Sequence, residues 1–173
     1  SFTTLTPAPA ITVSSLTTFG NQCINAASTA QSLNITGSNL TNTNVQVGPA
    51  AGFKFSTTSN GTFSDSLVIT QGGGTLTQTI YVEFLPTATS AYTVNIPVSG
   101  GGATSVSVST TGTGIATLPT LTTSTPVTIA YNGATINSSV TAMNCGGITS
   151  YGIEYGTNAT LTSGTTLASS TNI

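Results

Sequence analysis

The chain has no histidine and no tryptophan, one basic residue, Lys54, and three acidic ones, Asp65, Glu83 and Glu154. Charged residues make up 2% of the sequence, against roughly 25% in an ordinary globular domain. Each scarcity removes a class of function. Without histidine there is no side chain whose ordinary titration supplies a base near neutral pH. Three carboxylates scattered along the sequence make no acid–base pair, and an active site needs clustered, perturbed groups. Calcium asks for six to eight oxygen ligands, several of them carboxylates, and zinc for clusters of Cys or His. The inventory therefore points to a non-enzymatic protein with no metal and no cofactor. One lysine cannot neutralise a run of phosphates, so nucleic acid is not an expected partner. No apolar run approaches the ~18 residues of a membrane-spanning helix. The chain starts with Ser rather than Met and shows no signal peptide, as expected of a processed or excised piece.

What is present is alternation. Phe53 and Phe55 flank Lys54, Leu67 and Ile69 flank Val68, and Ile80, Val82 and Phe84 flank Tyr81 and Glu83. Tyr92, Val94, Ile96 and Val98 flank Thr93, Asn95 and Pro97. Period two predicts strands with one face inward. Turn-prone breaks separate them at Ser59-Asn60-Gly61, at Gly72-Gly73-Gly74 and over Pro86 to Ser90. Many short strands at such spacing predict antiparallel β-sandwiches. The abundance of patterned Thr, Val and Ile argues against disorder, and glycine lacks the three-residue period of collagen. With few charges, the surface is Ser, Thr, Asn, Gln and Gly, and little repels a neighbouring copy.

In order, residues 1–9 read as a terminal strand of a preceding module, carrying Phe2 and Leu5, and a stiff linker with Pro7 and Pro9. Residues 10–114 make one sandwich of about 105 residues, the usual size. Its first strand is expected over 11–17, followed by a loop from Thr18 to Ser28 that contains Cys23. Further strands centre on Leu33 and Ile35, on Val45 and Val47, on the runs above, and on Val106 and Val108. Residues 115–119 form a linker. Residues 120–173 begin a second β-domain, with strands at Val127 and Ile129, at Ile136 and Val140, over Tyr151, Ile153 and Tyr155, and a weaker one at Leu161 and Leu167. A tight turn is expected at Tyr131-Asn132-Gly133 and a loop at Asn144-Cys145-Gly146-Gly147. At about 55 residues against about 100 for a closed sandwich, this second module is expected to be incomplete.

Residues 10–114 resemble the hydin-type immunoglobulin-like domains of secreted Bacteroidota proteins. The resemblance is carried by GSNL (Gly37 to Leu40), GFKFSTTSNGTFSDSLVIT (Gly52 to Thr70), TIYVEFLPTATSAYTVNI (Thr79 to Ile96) and the closing TGTG (Thr111 to Gly114). Residues 119–173 are similar to the first part of a fibronectin type III-like module, through ATINSSVTAMNCGGITSYGIEYGT. That module type ends in a strand resembling SFTTL, which stands here at Ser1 to Leu5. The resemblance implies a window on a tandem array from a cell-surface adhesin, of gliding-motility type for example, or a surface filament.

Several residues are candidate sites. In a seven-stranded sandwich the loop after the first strand lies at the end where the last strand leaves. The loop between strands two and three lies at the entry end. Cys23 and Cys145 are thereby expected to face one junction between modules and to form a disulfide, the alternative being two free, buried thiols. Asp65-Ser66-Leu67 resembles the Bacteroidota O-glycosylation motif, which makes Ser66 a candidate acceptor. Asn34, Asn39, Asn60, Asn137 and Asn158 stand in Asn-x-Ser/Thr, which a Thr-rich chain produces by chance. A Lys–Asn isopeptide crosslink needs a buried lysine, whereas Lys54 alternates with core residues and reads as solvated. Tyr81 is the outward-facing aromatic best placed for sugar stacking.

The expectation is an extracellular structural repeat of a fibre or giant adhesin. Its partners would be other copies or repeats of itself and surface glycans. One alternative is a filament subunit that polymerises by β-strand donation through Phe2 and Leu5. A further alternative is an accessory binding module of a secreted hydrolase. Circular dichroism should give a β-type spectrum; a helical or random-coil spectrum contradicts the pattern reading.

Overall fold

The computed structural model describes residues 5–126, 128–131, 133–148, 151–155 and 165–169. The chain divides into two compact units, Ser1–Ile115 and Ala116–Ile173. The described structure is all β.

The first unit contains β1 (Ala10–Val13), β2 (Asn21–Cys23), β3 (Gln31–Leu40), β4 (Val45–Val47), β5 (Phe53–Ser56), β6 (Leu67–Ile69), β7 (Gly74–Phe84), β8 (Ala91–Gly100) and β9 (Ala103–Ile115). They form a four-stranded sheet, β1-β3-β7-β5, and a five-stranded sheet, β2-β9-β8-β4-β6. The first sheet is antiparallel throughout, and in the second only β2 and β9 run parallel.

The alternation explains the core. Leu33 and Ile35 on β3, Phe53 and Phe55 on β5, and Ile80, Val82 and Phe84 on β7 face inward from the first sheet. Val45 and Val47, Ile69, Ile96 and Val98, and Val108 meet them from the second. All these residues belong to one cluster, so the two sheets bury a shared core. On one side the layers close up, where β1 lies against β9. Rings gather at the other end of β7. Phe84 lies 5.0 Å from Phe53, 5.1 Å from Tyr92 and 6.2 Å from Phe19. Such pairs add about 0.5–1.5 kcal/mol each beyond area burial.

Glycines answer two geometric demands. The turn joining β8 to β9 takes positive φ at Gly100, Gly101 and Gly102, where a side chain would be strained. In the closing TGTG the demand is space. A Cβ on Gly112 would stand 2.6 Å from the Phe84 ring, and one on Gly114 would stand 2.0 Å from the Ala88 carbonyl oxygen. Pro97 lies within β8 where the β4 pairing runs out, and its carbonyl accepts the Gly48 N–H.

Some local expectations are corrected. The strand expected over 11–17 stops at Val13. Cys23 lies in β2, not in a loop, because Asn21–Cys23 pairs with Thr113 to Ile115 at the far end of the unit. That partner is about ninety residues away, so no local pattern announces the strand. β7 begins at Gly74, several residues before its apolar run.

The second unit holds three described two-stranded ladders. β10 (Thr120–Thr123) pairs with β13 (Ser138–Ala142), β11 (Thr128–Ala130) with β12 (Gly133–Thr135), and β14 (Tyr151–Tyr155) with β15 (Thr165–Ser169). β10 was not anticipated from the sequence, since three of its four residues are threonine. Ala130 stands opposite Gly133, so the chain turns where the tight turn was expected. None of this unit's side chains with described burial is buried. Val127, Asn132 and Leu161 lie outside the described residues.

Phe84→Ala should cost about 3–5 kcal/mol by equilibrium denaturation. Gly114→Ala should also lower the midpoint, because the clash is with backbone. Gly72→Ala, with no atom within 4 Å of the added carbon, should leave it unchanged. Equal midpoints for the two glycine variants would contradict this packing.

Candidate functional site

The feature that ties the first unit's beginning to its end is the seam between residues 17–24 and 110–115. β2 runs parallel to β9 in register, Asn21 opposite Thr113 and Cys23 opposite Ile115. Flanking bonds lengthen the seam. Phe19 N–H donates to the Thr111 carbonyl at 2.8 Å, Thr113 N–H to Gly20 at 2.8 Å, and Ile24 N–H to Ile115 at 2.9 Å. Threonines supply the rest. The buried Thr110 hydroxyl donates to the Thr17 carbonyl, and Thr111 donates to the Thr18 hydroxyl at 3.0 Å. These threonines carry no catalytic signature, and only the fold reveals their pairing.

Cys23 therefore ends the seam. In the second unit, Cys145 sits in a turn tied to the unit's first residues. Its N–H donates to the Thr117 carbonyl at 3.0 Å, and Asn144, at φ 47°, donates its amide to the Leu118 carbonyl at 2.7 Å. Cys23 and Cys145 are both disulfide-bonded.

The remaining candidates scatter. Ser66 is half-buried in the bend before β6. Asn34, Asn39, Asn60 and Asn137 are exposed, and Asn158 lies outside the described residues. Leu5 is 92% exposed in an irregular segment, and Phe2 lies outside the described residues. The side chains of Tyr151, Glu154 and Tyr155 are also outside them. No group of three or more His, Cys, Asp or Glu suited to a metal ion occurs among the described residues. No described helix is long and apolar enough to cross a membrane.

The sequence reading missed where the charges meet. Lys54 faces outward, as its alternation with Phe53 and Phe55 requires, and its Nζ lies 2.9 Å from Asp65 Oδ1. Lys54 also stands opposite Glu83 across the β5–β7 ladder. With 81% of its side chain exposed, Asp65 sits in water, so the contact is a surface ion pair worth about 0–1 kcal/mol. Amide formation with lysine would need a dry site. Partial burial pushes the Glu83 carboxyl above its ordinary pKa of 4.5, partly offset by the Lys54 charge.

No protein-family model matches the chain, and no curated protein matches its sequence.

The Glu83 shift carries a sign. The folded state holds this proton more tightly than the unfolded chain, so at this group stability is greatest below 4.5 and declines as pH rises through the folded-state pKa. Compared with Glu83→Gln, the unaltered protein should gain denaturation midpoint on acidification from neutral pH. A loss relative to the variant would overturn the assignment.

Proposed function

We propose that this chain is a non-enzymatic, load-bearing repeat segment of an extracellular cell-surface fibre or giant adhesin. The observation that carries the reading is the parallel seam of β2 with β9, which ends at the oxidised Cys23, so that load falls on the sulfur–sulfur bond while it is closed and on the seam once it is open. Tension on the two ends of the unit pulls neighbouring parallel strands in opposite directions along their length. The bonds of the seam are then loaded together rather than unzipped one by one.

The finer assignment is a hydin-type immunoglobulin-like module followed by the first part of a fibronectin type III-like one. Two observations support the first half. The order β1-β3-β7-β5 corresponds to A-B-E-D of an immunoglobulin sandwich, and β9-β8-β4 to G-F-C. Tyr92, at the start of β8, accepts hydrogen bonds from the Thr87 and Ala88 N–H groups, as in the tyrosine corner of such domains. Oxidised cysteines suit an extracellular setting.

In this proposal Cys23 and Cys145 bond to each other. A covalent link between them closes residues 24–144 into a loop that bypasses most of the first unit. Tension then crosses the sulfur–sulfur bond first, and the seam carries it only after reduction. Pulling the full chain by its ends tests both parts. The oxidised chain should extend by roughly 400 Å less than the reduced one, and non-reduced peptide mapping should yield the Cys23–Cys145 pair. Equal extensions would remove the bond. Unfolding of the reduced first unit at forces no higher than those that unzip a hairpin would remove the load-bearing reading.

A second reading, strand donation through Phe2 and Leu5, draws on exposed apolar side chains in the second unit: Leu118, Leu121, Ile129, Tyr131 and Met143. It calls for concentration-dependent polymers that Leu5→Asp abolishes. A monomer at all concentrations would exclude it.

A further inference from the structure

The chain leaves β5 through an open turn. Residues 57–62 are all exposed, and Asn60-Gly61 stands within them. The turn is held lightly. Gly61 N–H donates to the Thr58 carbonyl at 3.3 Å, beyond the usual range of about 2.7–3.2 Å. Thr58 N–H reaches the Ser56 hydroxyl, also at 3.3 Å. The Asn60 side chain takes part in no hydrogen bond among the described residues. A Cβ on Gly61 would stand 2.1 Å from the Thr58 hydroxyl and 2.8 Å from that of Ser56, so a side chain here would crowd both. The fold thus keeps an unpartnered asparagine amide beside a peptide nitrogen that no side chain shields.

We propose that Asn60-Gly61 is a self-modifying site, at which the asparagine converts without an enzyme into isoaspartate and aspartate. The Gly61 peptide nitrogen gives its proton to hydroxide and attacks the carbonyl carbon of the Asn60 side chain. A nitrogen–carbon bond forms, the bond from that carbon to the amide nitrogen breaks, and ammonia leaves with a proton taken from water. The product is a cyclic imide. Water then opens the imide at either carbonyl. Opening at the main-chain carbonyl leaves the chain running through the former side chain, as isoaspartate. Opening at the other carbonyl leaves aspartate. The amide and a water are consumed, a carboxylic acid and an ammonia are released, and nothing is oxidised or reduced.

Several other asparagines are engaged. Asn34 and Asn95 accept from the Thr79 and Ser109 hydroxyls, and Asn144 donates to the Leu118 carbonyl. Ile35, Ile96 and Cys145 follow them, each with a side chain beside the nitrogen that would have to attack. Asn-Gly recurs at Asn132-Gly133. There Gly133 belongs to β12 and stands opposite Ala130, so its nitrogen must leave a ladder before it can turn on the preceding side chain. Each conversion at Asn60 puts a carboxylate into a chain of formal net charge −2, which adds repulsion between neighbouring copies. The isoaspartyl form also adds a carbon to the main chain of the turn.

The site goes beyond the load-bearing reading and is independent of it, since no bond of the β2–β9 seam takes part. The test is to hold the full chain in mildly alkaline buffer and to map it over time with chymotrypsin. Cleavage after Phe55 and Phe63 releases residues 56–63 as one peptide. That peptide should gain the mass of an acid in place of an amide and split into two products, isoaspartate exceeding aspartate. Gly61→Ala should slow the conversion by about tenfold or more, because its methyl group shields the nitrogen. Since that methyl group also crowds Thr58, Asn60→Gln serves as a second variant; it keeps Gly61 and should leave the peptide unmodified over the same period. A dispersed amide spectrum verifies the fold of each variant. In the folded chain Asn60 should convert faster than Asn132, and in urea the two should convert at similar rates. An unchanged 56–63 peptide would overturn the proposal, as would aspartate without isoaspartate, the mark of direct hydrolysis. Equal rates at the two asparagines in the folded chain would overturn the part assigned to the open turn.

Discussion

The first unit depends on the packing around Phe84. Its side chain is fully buried at the end of β7. It meets Phe53 from its own sheet, Tyr92 from the other sheet, and Phe19 from the segment between β1 and β2. β9 approaches closely because Gly112 places no side chain in the way. The backbone of Phe84 is also engaged, accepting from the Ser28 N–H and donating to the Ser28 hydroxyl, each at 2.9 Å. The strand that forms the centre of one sheet therefore locates the last strand of the other. The β2–β9 seam follows from that placement, because β9 must reach Gly112 and Gly114 before it can receive β2.

The near absence of charge gives the surface a different chemistry from that of most soluble domains. On the outer face of the first sheet, Thr12 and Thr36 hydroxyls lie 2.6 Å apart, and Thr79 donates to Asn34 at 2.7 Å. Cross-strand polar pairs of this kind reinforce a ladder without ion pairs. Their contribution is insensitive to salt, since there is little charge to screen. Against this background a lone lysine flanked by two carboxylates is a local event. It lies at the one edge of the first sheet where the chain doubles back.

Much of the core was legible. Of the alternating runs, Phe53, Phe55, Ile69, Ile80, Val82, Phe84, Ile96 and Val98 were expected to face inward and are buried, whereas Leu67, Tyr92 and Val94, in the same phase, are half-buried against the core. Their period is imposed by the backbone within a few residues, so it appears directly in the order of side chains. β2 and β10 were not legible because their residues are polar and their partners distant. The return of the chain alongside β5 was equally hidden, since it rests on a single bridge between Phe55 and Ser64. Both cysteines were singled out from the sequence, but the strand that carries Cys23 was not.

The sequence alone determined that this chain folds as β-structure, which side chains turn inward, where glycine-rich turns must fall, and that no histidine-based chemistry is available. The tertiary structure decided which strands become neighbours, and so which side chains meet across a ladder. The division has a physical origin. Inward and outward facing is a property of each strand by itself. Adjacency is settled by the shared core, whose contacts join residues far apart in the chain.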